Sequence, residues 1–489
     1  MKPFGRNRGT VGGDSNEPAQ EEVAPRRAAG NFRTIALIVA TALFMQNLDA
    51  TVLTTALPTL AREFDVAAPV LSFVLTAYLI ALAVFIPASS YVADRFGART
   101  VFQLAIAVFM TGSLACGFAT SLEMLIVARF MQGVGGAMML PVGRLLLLRN
   151  VEKCDLVSAI SWLTMPALIG PIVGPPLGGL VVTYLEWRWI FWINLPVGAL
   201  GIVLVRLFIP EVRESHRTGF DFAGFALSGV ALASLLFGLQ LSARSDRFGL
   251  TFGLLAGGGV ASLAYIAHAR KAASPILDLS LLRIATFRLS VVGGTLIRVT
   301  QGAIQFLLPM MIQIAFGRTA ATSGLITMAM ALGAFAMKGV ARPLLARLGF
   351  RNVLLCVGLL SPLTFGLIGF AQAEWPLAIL FAALLVGGFL ISLQFTAYNT
   401  IAYADVETER MSRATSFYAT FQQLTLSVGV CLAATMLAFA MRWHDNVSPD
   451  AGDFSTAIWS VTAVSLFAVL SNWRFARDAG VELSGHGRK

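Results

Sequence analysis

Charge is scarce in this chain. Only 13% of its 489 residues are Asp, Glu, Lys or Arg, against about 25% in an ordinary soluble domain. With 57% hydrophobic residues and a mean hydropathy of +0.76, there is almost no room for a soluble domain. Cysteine is nearly absent too. Of the four, Cys116, Cys356 and Cys431 fall in apolar runs and Cys154 in a polar loop, and none makes a two-residue-spaced pair. They give no disulfide or metal framework and read as small packing residues. Histidine is missing where a buried proton carrier would need it: His216, His444 and His486 lie in loops or the tail, and His268 at the end of a run. The first 32 residues have no apolar signal core and read as a disordered tail. The net charge of +10 is not gathered into a face, so nucleic acid is not an expected partner. No strand-length alternation points to an outer-membrane barrel.

What the chain has is about fourteen apolar runs near the ~20 residues that a helix needs to cross a bilayer. Their limits are 34–62, 70–93, 100–119, 122–146, 156–184, 189–209, 222–242, 250–268, 288–315, 322–341, 352–371, 376–402, 413–440 and 456–474. The expected class is an all-α integral membrane protein. Lys and Arg set its orientation. With the N-terminus in the cytoplasm, the outside segments hold only Arg62, Arg188, Arg244, Arg247, Arg318 and Arg442, while Arg129 and Arg298 fall within spans. All other basic residues are inside, so both termini are expected in the cytoplasm.

The runs divide as six, two and six. This predicts a tail at 1–32, a six-helix bundle at 33–209, a linker with two added helices at 210–287, a second bundle at 288–474 and a tail at 475–489. The two added runs carry no interior charge and read as lipid-facing additions. A weak repeat relates the bundles. Arg95-Phe96-Gly97-Ala98-Arg99 and Arg347-Leu348-Gly349-Phe350-Arg351 share the Arg-x-Gly-x-Arg spacing, and each joins the second and third spans of its half. Two equivalent bundles rocking about a midplane site are the expected architecture of many secondary transporters.

Asp49 sits deep in the first run. A carboxylate there costs roughly 2.5 kcal/mol or more on insertion scales, so it needs a partner, a wet cavity or a proton. Gln46 lies beside it, and Asn47, Thr51 and Thr54 form a neighbouring polar stripe. Asp49 is either a structural partner for a buried cation or a proton carrier. Apolar burial favours the protonated form of a carboxyl and a nearby cation the ionised one, so alternation between such surroundings can load and release a proton. Arg129, in the fourth span with Gln132 one turn on, cannot shed its charge. Asp49 is the only carboxylate at comparable depth, and the two are expected to pair; the alternative is Arg129 on backbone carbonyls and water. In the fifth span, Gly170, Gly174 and Gly178 recur every four residues and permit close helix packing. Pro171, Pro175 and Pro176 bend that helix. The bend serves packing alone, or also blocks leakage and guides rocking. In the second half, Arg298, Gln301 and Gln305 share one face, Gln394, Tyr398 and Asn399 lie together, and Ser416, Thr420, Gln423 and Ser427 follow helical spacing. These read as that bundle's share of a substrate cavity, with Phe306, Met310 and Met311 either apolar contacts or plain packing.

The motifs together resemble the major facilitator superfamily, in particular its fourteen-span drug:proton antiporter branch, over nearly everything after the tail. Leu48-Asp49-Ala50-Thr51-Val52 through Pro58 is similar to that branch's first-span motif, with Thr54 where Asn is usual. Ser90 to Arg99 is similar to the family's loop motif, with Ser90 for its first Gly, Ala98 for its later Arg and Arg99 for its final Lys. Arg129, Gln132 and Gly133 fit the fourth-span motif, Gly170 to Gly179 the fifth-span antiporter motif, and Trp187 to Phe191 with Asn194 and Pro196 is typical of the branch. The resemblance implies the major facilitator fold, two six-helix bundles plus two extra helices. It implies that Ser90, Asp94, Arg95, Gly97 and Arg99 form a gating loop, with Asp94 latching onto nearby Arg and onto the start of span thirteen. Ala346 replaces Asp94 in the repeat copy, so a second latch is not expected.

The expected function is proton-coupled efflux of small amphipathic compounds across a bacterial inner membrane, with Asp49 and Arg129 coupling the proton. The alternative is an exporter dedicated to one metabolite, such as an organic acid or a metal chelate, for which Arg298 and Arg129 could receive an anion. An intramembrane enzyme or scaffold finds no nucleophile, metal or cofactor motif. No cofactor or metal is expected beyond the proton as coupling ion. Expected partners are a small-molecule substrate and the bilayer, with a periplasmic adaptor as a candidate, and the chain is expected to be monomeric.

Overall fold

A chain in hydrocarbon must close its own backbone hydrogen bonds, which favours helices. In the computed structural model every regular element among the described residues is a helix. Those residues are 32–151, 156–211, 219–242, 247–407, 410–476 and 479–480. The two expected tails therefore lie almost wholly outside them.

The first six crossings are built from α1 (Phe32–Glu63), α2 (Ser72–Phe85), α3 (Ser89–Phe96), α4 (Ala98–Gly117), α5 (Leu122–Asn150), α6 (Leu156–Tyr184), α7 (Trp189–Trp192) and α8 (Asn194–Phe208). The added pair is α9 (Phe222–Leu241) and α10 (Phe248–Ala269). The last six crossings use α11 (Ala285–Met310), α12 (Ala320–Ile368), α13 (Leu377–Ile401), α14 (Met411–Trp443), α15 (Ala451–Leu466) and α16 (Ala468–Trp473).

Among the described residues, thirteen helices are long and apolar enough to cross a membrane. The longest, α12, has 49 residues. At about 1.5 Å per residue it would be more than twice as long as a ~30 Å hydrocarbon core is thick. It is not one rod. Gly349, at φ 74° and ψ 160°, breaks it into two crossings, which makes fourteen. Gly97, its counterpart in the Arg-x-Gly-x-Arg repeat, has φ 93° and separates α3 from α4. The repeat is thus a repeated backbone break, in a region that L-residues with a side chain avoid. A Cβ at Gly97 would also lie 2.1 Å from Glu211 Oε1. Gly97→Ala is expected to cost about 1–3 kcal/mol from the backbone alone, read as a lower melting temperature of the purified protein. An unchanged melting temperature would show that the break tolerates a side chain.

The glycine ridge of α6 lies against α1. A Cβ at Gly174 would reach 2.0 Å from Thr51 Oγ1, and one at Gly178 2.6 Å from the Val52 carbonyl oxygen. The two halves meet along two seams, α6 against α12 and α2 against α14. On the first seam the backbones nearly touch: a Cβ at Gly179 would lie 2.3 Å from the Ala320 oxygen, and one at Gly324 2.1 Å from the Pro175 oxygen. At the end where α1 finishes, called here the far end, Gln313 Nε2 donates to the Thr55 carbonyl at 3.0 Å and the Ala321 N–H to Thr183 Oγ1 at 3.0 Å. An open bowl of about 730 Å³, lined by Arg62, Asp65, Gln313 and Arg318 among others, lies above this closure. The added helices are not equivalent. α10 buries only Thr251, Gly258 and Tyr265 and packs on α9. α9 instead lies on the α2/α14 seam, which differs from the expectation of two lipid-facing additions.

Candidate functional site

The polar centre of the first half is Asp49. It is 2% exposed, and Arg129 is 1% exposed. Arg129 Nη1 donates to Asp49 Oδ2 at 2.6 Å and to Gln132 Oε1 at 2.6 Å. Gln132 Nε2 donates to Asp49 Oδ1 at 2.8 Å. The guanidinium also lies over the Tyr78 ring, 4.5 Å from its centroid. Close packing brings these groups together. Gly133 lets α5 press against α2, where a Cβ would meet the Tyr78 carbonyl oxygen at 2.6 Å.

Two further residues complete the cluster. Asn194 Nδ2 donates to Asp49 Oδ1 at 2.9 Å and to Ser113 Oγ at 3.0 Å. Ser113 Oγ donates to the Phe191 carbonyl at 2.8 Å. Asn194 is the first residue of α8, just past the break after α7. Trp187, packed edge-on against Phe64 and Phe191, anchors that break. Sequence reasoning named Asn194 only as part of a branch-typical motif, without a role, and did not single out Ser113. The available signal was a polar residue at spanning depth, which for a neutral side chain is weak. Both carboxylate oxygens of Asp49 are held by N–H donors, as suits a buried ion pair. Arg129 Nε and Asn194 Oδ1, both buried, make no hydrogen bond among the described residues.

The other half holds a different arrangement. Arg298 is 5% exposed. Its Nη2 donates to Asn399 Oδ1 at 3.1 Å, and Gln422 Nε2 donates to the same oxygen at 2.9 Å. Phe395 and Tyr418 flank the guanidinium, with centroids at 4.7 and 5.3 Å. Among the described residues no carboxylate pairs with it. Asn399 is exposed, so this group reaches open space, and Gln301, Gln305 and Gln423 are half-buried.

The remaining candidates are scattered. Gln394 and Tyr398 are fully buried, and Tyr398 donates to Asn472 Oδ1 on α16 at 2.5 Å. Asn47 turns to α6 and donates to the Ala167 carbonyl at 3.1 Å, while Gln46 is half-buried near Gly136. The helical spacing placed these side chains on a face without saying which neighbour that face meets. In the loop motif Ser90 is exposed and Asp94 half-buried. Arg95 donates to Tyr91 Oη at 3.3 Å and Arg99 to the Arg206 carbonyl at 2.7 Å.

The start of α14 is tied to the segment after α10. Arg410 pairs with Asp278 at 2.9 Å, and Arg413 donates to Ser274 Oγ at 3.3 Å. Burial pushes the Asp278 carboxyl up, but bonds from Ser280 and Arg410 outweigh it and hold it below the ordinary carboxylate range. Its stabilising contribution is therefore complete above about pH 4 and disappears as pH falls through the lowered value. In Arg410→Gln protein the melting temperature is expected to fall less steeply with acid than in the native chain. Superimposable curves would show that the tether carries no stability.

Comparison with known proteins agrees with this architecture. Residues 39–219 and 290–487 match the Major Facilitator Superfamily. The protein named "Putative multidrug resistance protein MdtD" in Cronobacter sakazakii is 36% identical over 455 residues, covering 91% of this chain and 95% of its own length. Its Escherichia coli counterpart is 36% identical over 443 residues, covering 90% of this chain and 93% of its own. A crystal structure of a D-xylose–proton symporter superposes with a TM-score of 0.64 at 13% identity, covering 91% of this chain and 98% of that one, a likeness of fold alone.

Proposed function

This chain belongs to the major facilitator superfamily, and from that premise we propose that it is a proton-coupled antiporter. It would expel small amphipathic compounds from the cytoplasm by alternating access, in a bacterial inner membrane, with both termini inside and the far end outside. The observation that carries the reading is the buried Asp49–Arg129 pair at 2.6 Å. It is a carboxylate in the body of one half whose charge is balanced by a single guanidinium. The unpartnered Arg129 Nε and Asn194 Oδ1 give the cluster spare bonding capacity for a second arrangement when Asp49 takes a proton. The multidrug resistance names of the relatives support the substrate class.

The energetics are adequate. An inward proton carries about 2.3 kcal/mol per 100 mV, and a tenfold gradient costs about 1.4 kcal/mol. One proton per 100 mV would hold a neutral substrate at roughly fiftyfold. A monovalent cation exchanged for one proton would be driven by the pH difference alone. The test is reconstitution into vesicles with an imposed pH gradient and ethidium as the probe. Gradient-dependent accumulation that a protonophore collapses is expected. Movement indifferent to the gradient would leave a facilitator.

A second reading rests on Arg298, a buried guanidinium between two aromatic rings with no carboxylate among its described partners. Such a group suits an anionic substrate, as a dedicated organic-acid exporter would need. Arg298→Ala is expected to abolish export of anions and spare ethidium. Equal loss of both would assign Arg298 to the conformational cycle instead.

A further inference from the structure

We infer that α9 couples the two halves across the α2/α14 seam, and that Gln240 is the positioning residue of that coupling. The inference uses from the proposed function only the premise that the halves move against each other.

Gln240 lies in the last turn of α9 and is 2% exposed. The rest of the helix has no charged residue from Phe222 to Leu241 and only Ser228 and Ser234 as further polar side chains. A primary amide in such a helix must find partners, because an unpaired polar group away from water costs several kcal/mol. It finds one in each half. Gln240 Nε2 donates to Ser72 Oγ, on the first residue of α2. Gln240 Oε1 accepts from the fully buried Cys431 Sγ on α14 at 2.9 Å. Leucine would meet lipid or apolar packing without any such demand. The amide makes sense as a bridge.

The rest of α9 follows the same seam. Near its start, Phe225 packs edge-on against Phe85 at the end of α2, with centroids 5.7 Å apart. One turn before Gln240, the Leu236 carbonyl faces Cys431 Sγ at 3.9 Å. α9 thus runs antiparallel to α2 along its length and touches α14 near the far end. The opposite seam is built differently. There α6 and α12 meet through the bare backbones at Gly179 and Gly324, with one side-chain bond at the far end, from the Ala321 N–H to Thr183 Oγ1. One seam is bridged by a buried amide on a third helix, and the other is a close backbone contact tied at one rim. The halves would therefore hinge along α2/α14 and part at α6/α12, which gives the two added helices a mechanical role.

The test is hydrogen exchange on the full chain in lipid nanodiscs, which requires neither substrate nor proton transport. Gln240→Leu removes both bonds at similar volume. Exchange is expected to rise about five- to tenfold at the start of α2 and in α14 around Cys431, the scale of a lost buried hydrogen bond. Cys431→Val is expected to raise exchange at the same two places, and Cys431→Ser, which keeps a donor, to stay near native. The readout needs no pH gradient and no substrate, so failure of proton coupling would not mimic failure of the hinge. Unchanged exchange in α2 and α14, or an increase confined to α9, would overturn the inference.

Discussion

Arg129→Leu is expected to destabilise the protein by about 3–5 kcal/mol, the penalty for leaving one member of a buried ion pair uncompensated. The magnitude follows from the surroundings. Asp49 keeps donors from Gln132 and Asn194 in that variant but loses the only guanidinium that touches it among the described residues. The partner variant decides whether charge is the cause. Asp49→Asn added to Arg129→Leu removes the orphaned charge and keeps a side chain of similar shape, so most of the loss should return. Residues in one network are strongly non-additive, and the coupling between the two changes should be of the order of 0.5–3 kcal/mol. Unfolding of the three variants in detergent would measure it. A double variant no more stable than Arg129→Leu would mean that the guanidinium acts by packing on Tyr78 rather than by pairing.

Asp49→Asn alone is expected to abolish gradient-driven accumulation of ethidium while leaving the chain folded. The amide preserves size and can still engage Gln132 and Asn194, but it cannot carry a proton at any accessible pH. What should remain is passive exchange that runs down a substrate gradient and ignores pH. The loss should be complete, because no histidine lies deep inside a span and no other carboxylate in the sequence lies at that depth. Retained accumulation would move the coupling to another group and leave Asp49 a structural partner of Arg129.

The parts of this picture that the sequence exposed are those with a steep physical penalty. A carboxylate and a guanidinium at similar depth in hydrocarbon have few alternatives to each other, so Asp49 and Arg129 could be paired by elimination. The glycine ridge of α6 announced close packing because a four-residue spacing leaves one helix face without side chains. Gly349 was legible as the partner of Gly97 through the charged pattern around both. Neutral polar residues gave no comparable signal. Asn194, Ser113 and Gln240 can satisfy themselves on many neighbours, and only three-dimensional packing shows that Asn194 reaches Asp49 while Gln240 reaches both halves. Gln394 and Tyr398 illustrate the same limit. Their spacing predicted a shared face, but that face turns toward Asn472 on α16. The place of α9 was hidden for a related reason: a largely apolar, uncharged helix looks the same whether it meets lipid or a seam between bundles.

The central claim is that Asp49 takes up and releases a proton as the halves change their mutual tilt. Infrared difference titration of the Asp49 carboxyl in proteoliposomes, with Asp49→Asn as the subtraction, tests it most directly. The expected result is a protonated-carboxyl band that appears in one conformer and vanishes in the other within the working pH range. A carboxylate signal that stays ionised in both conformers across that range would contradict the account.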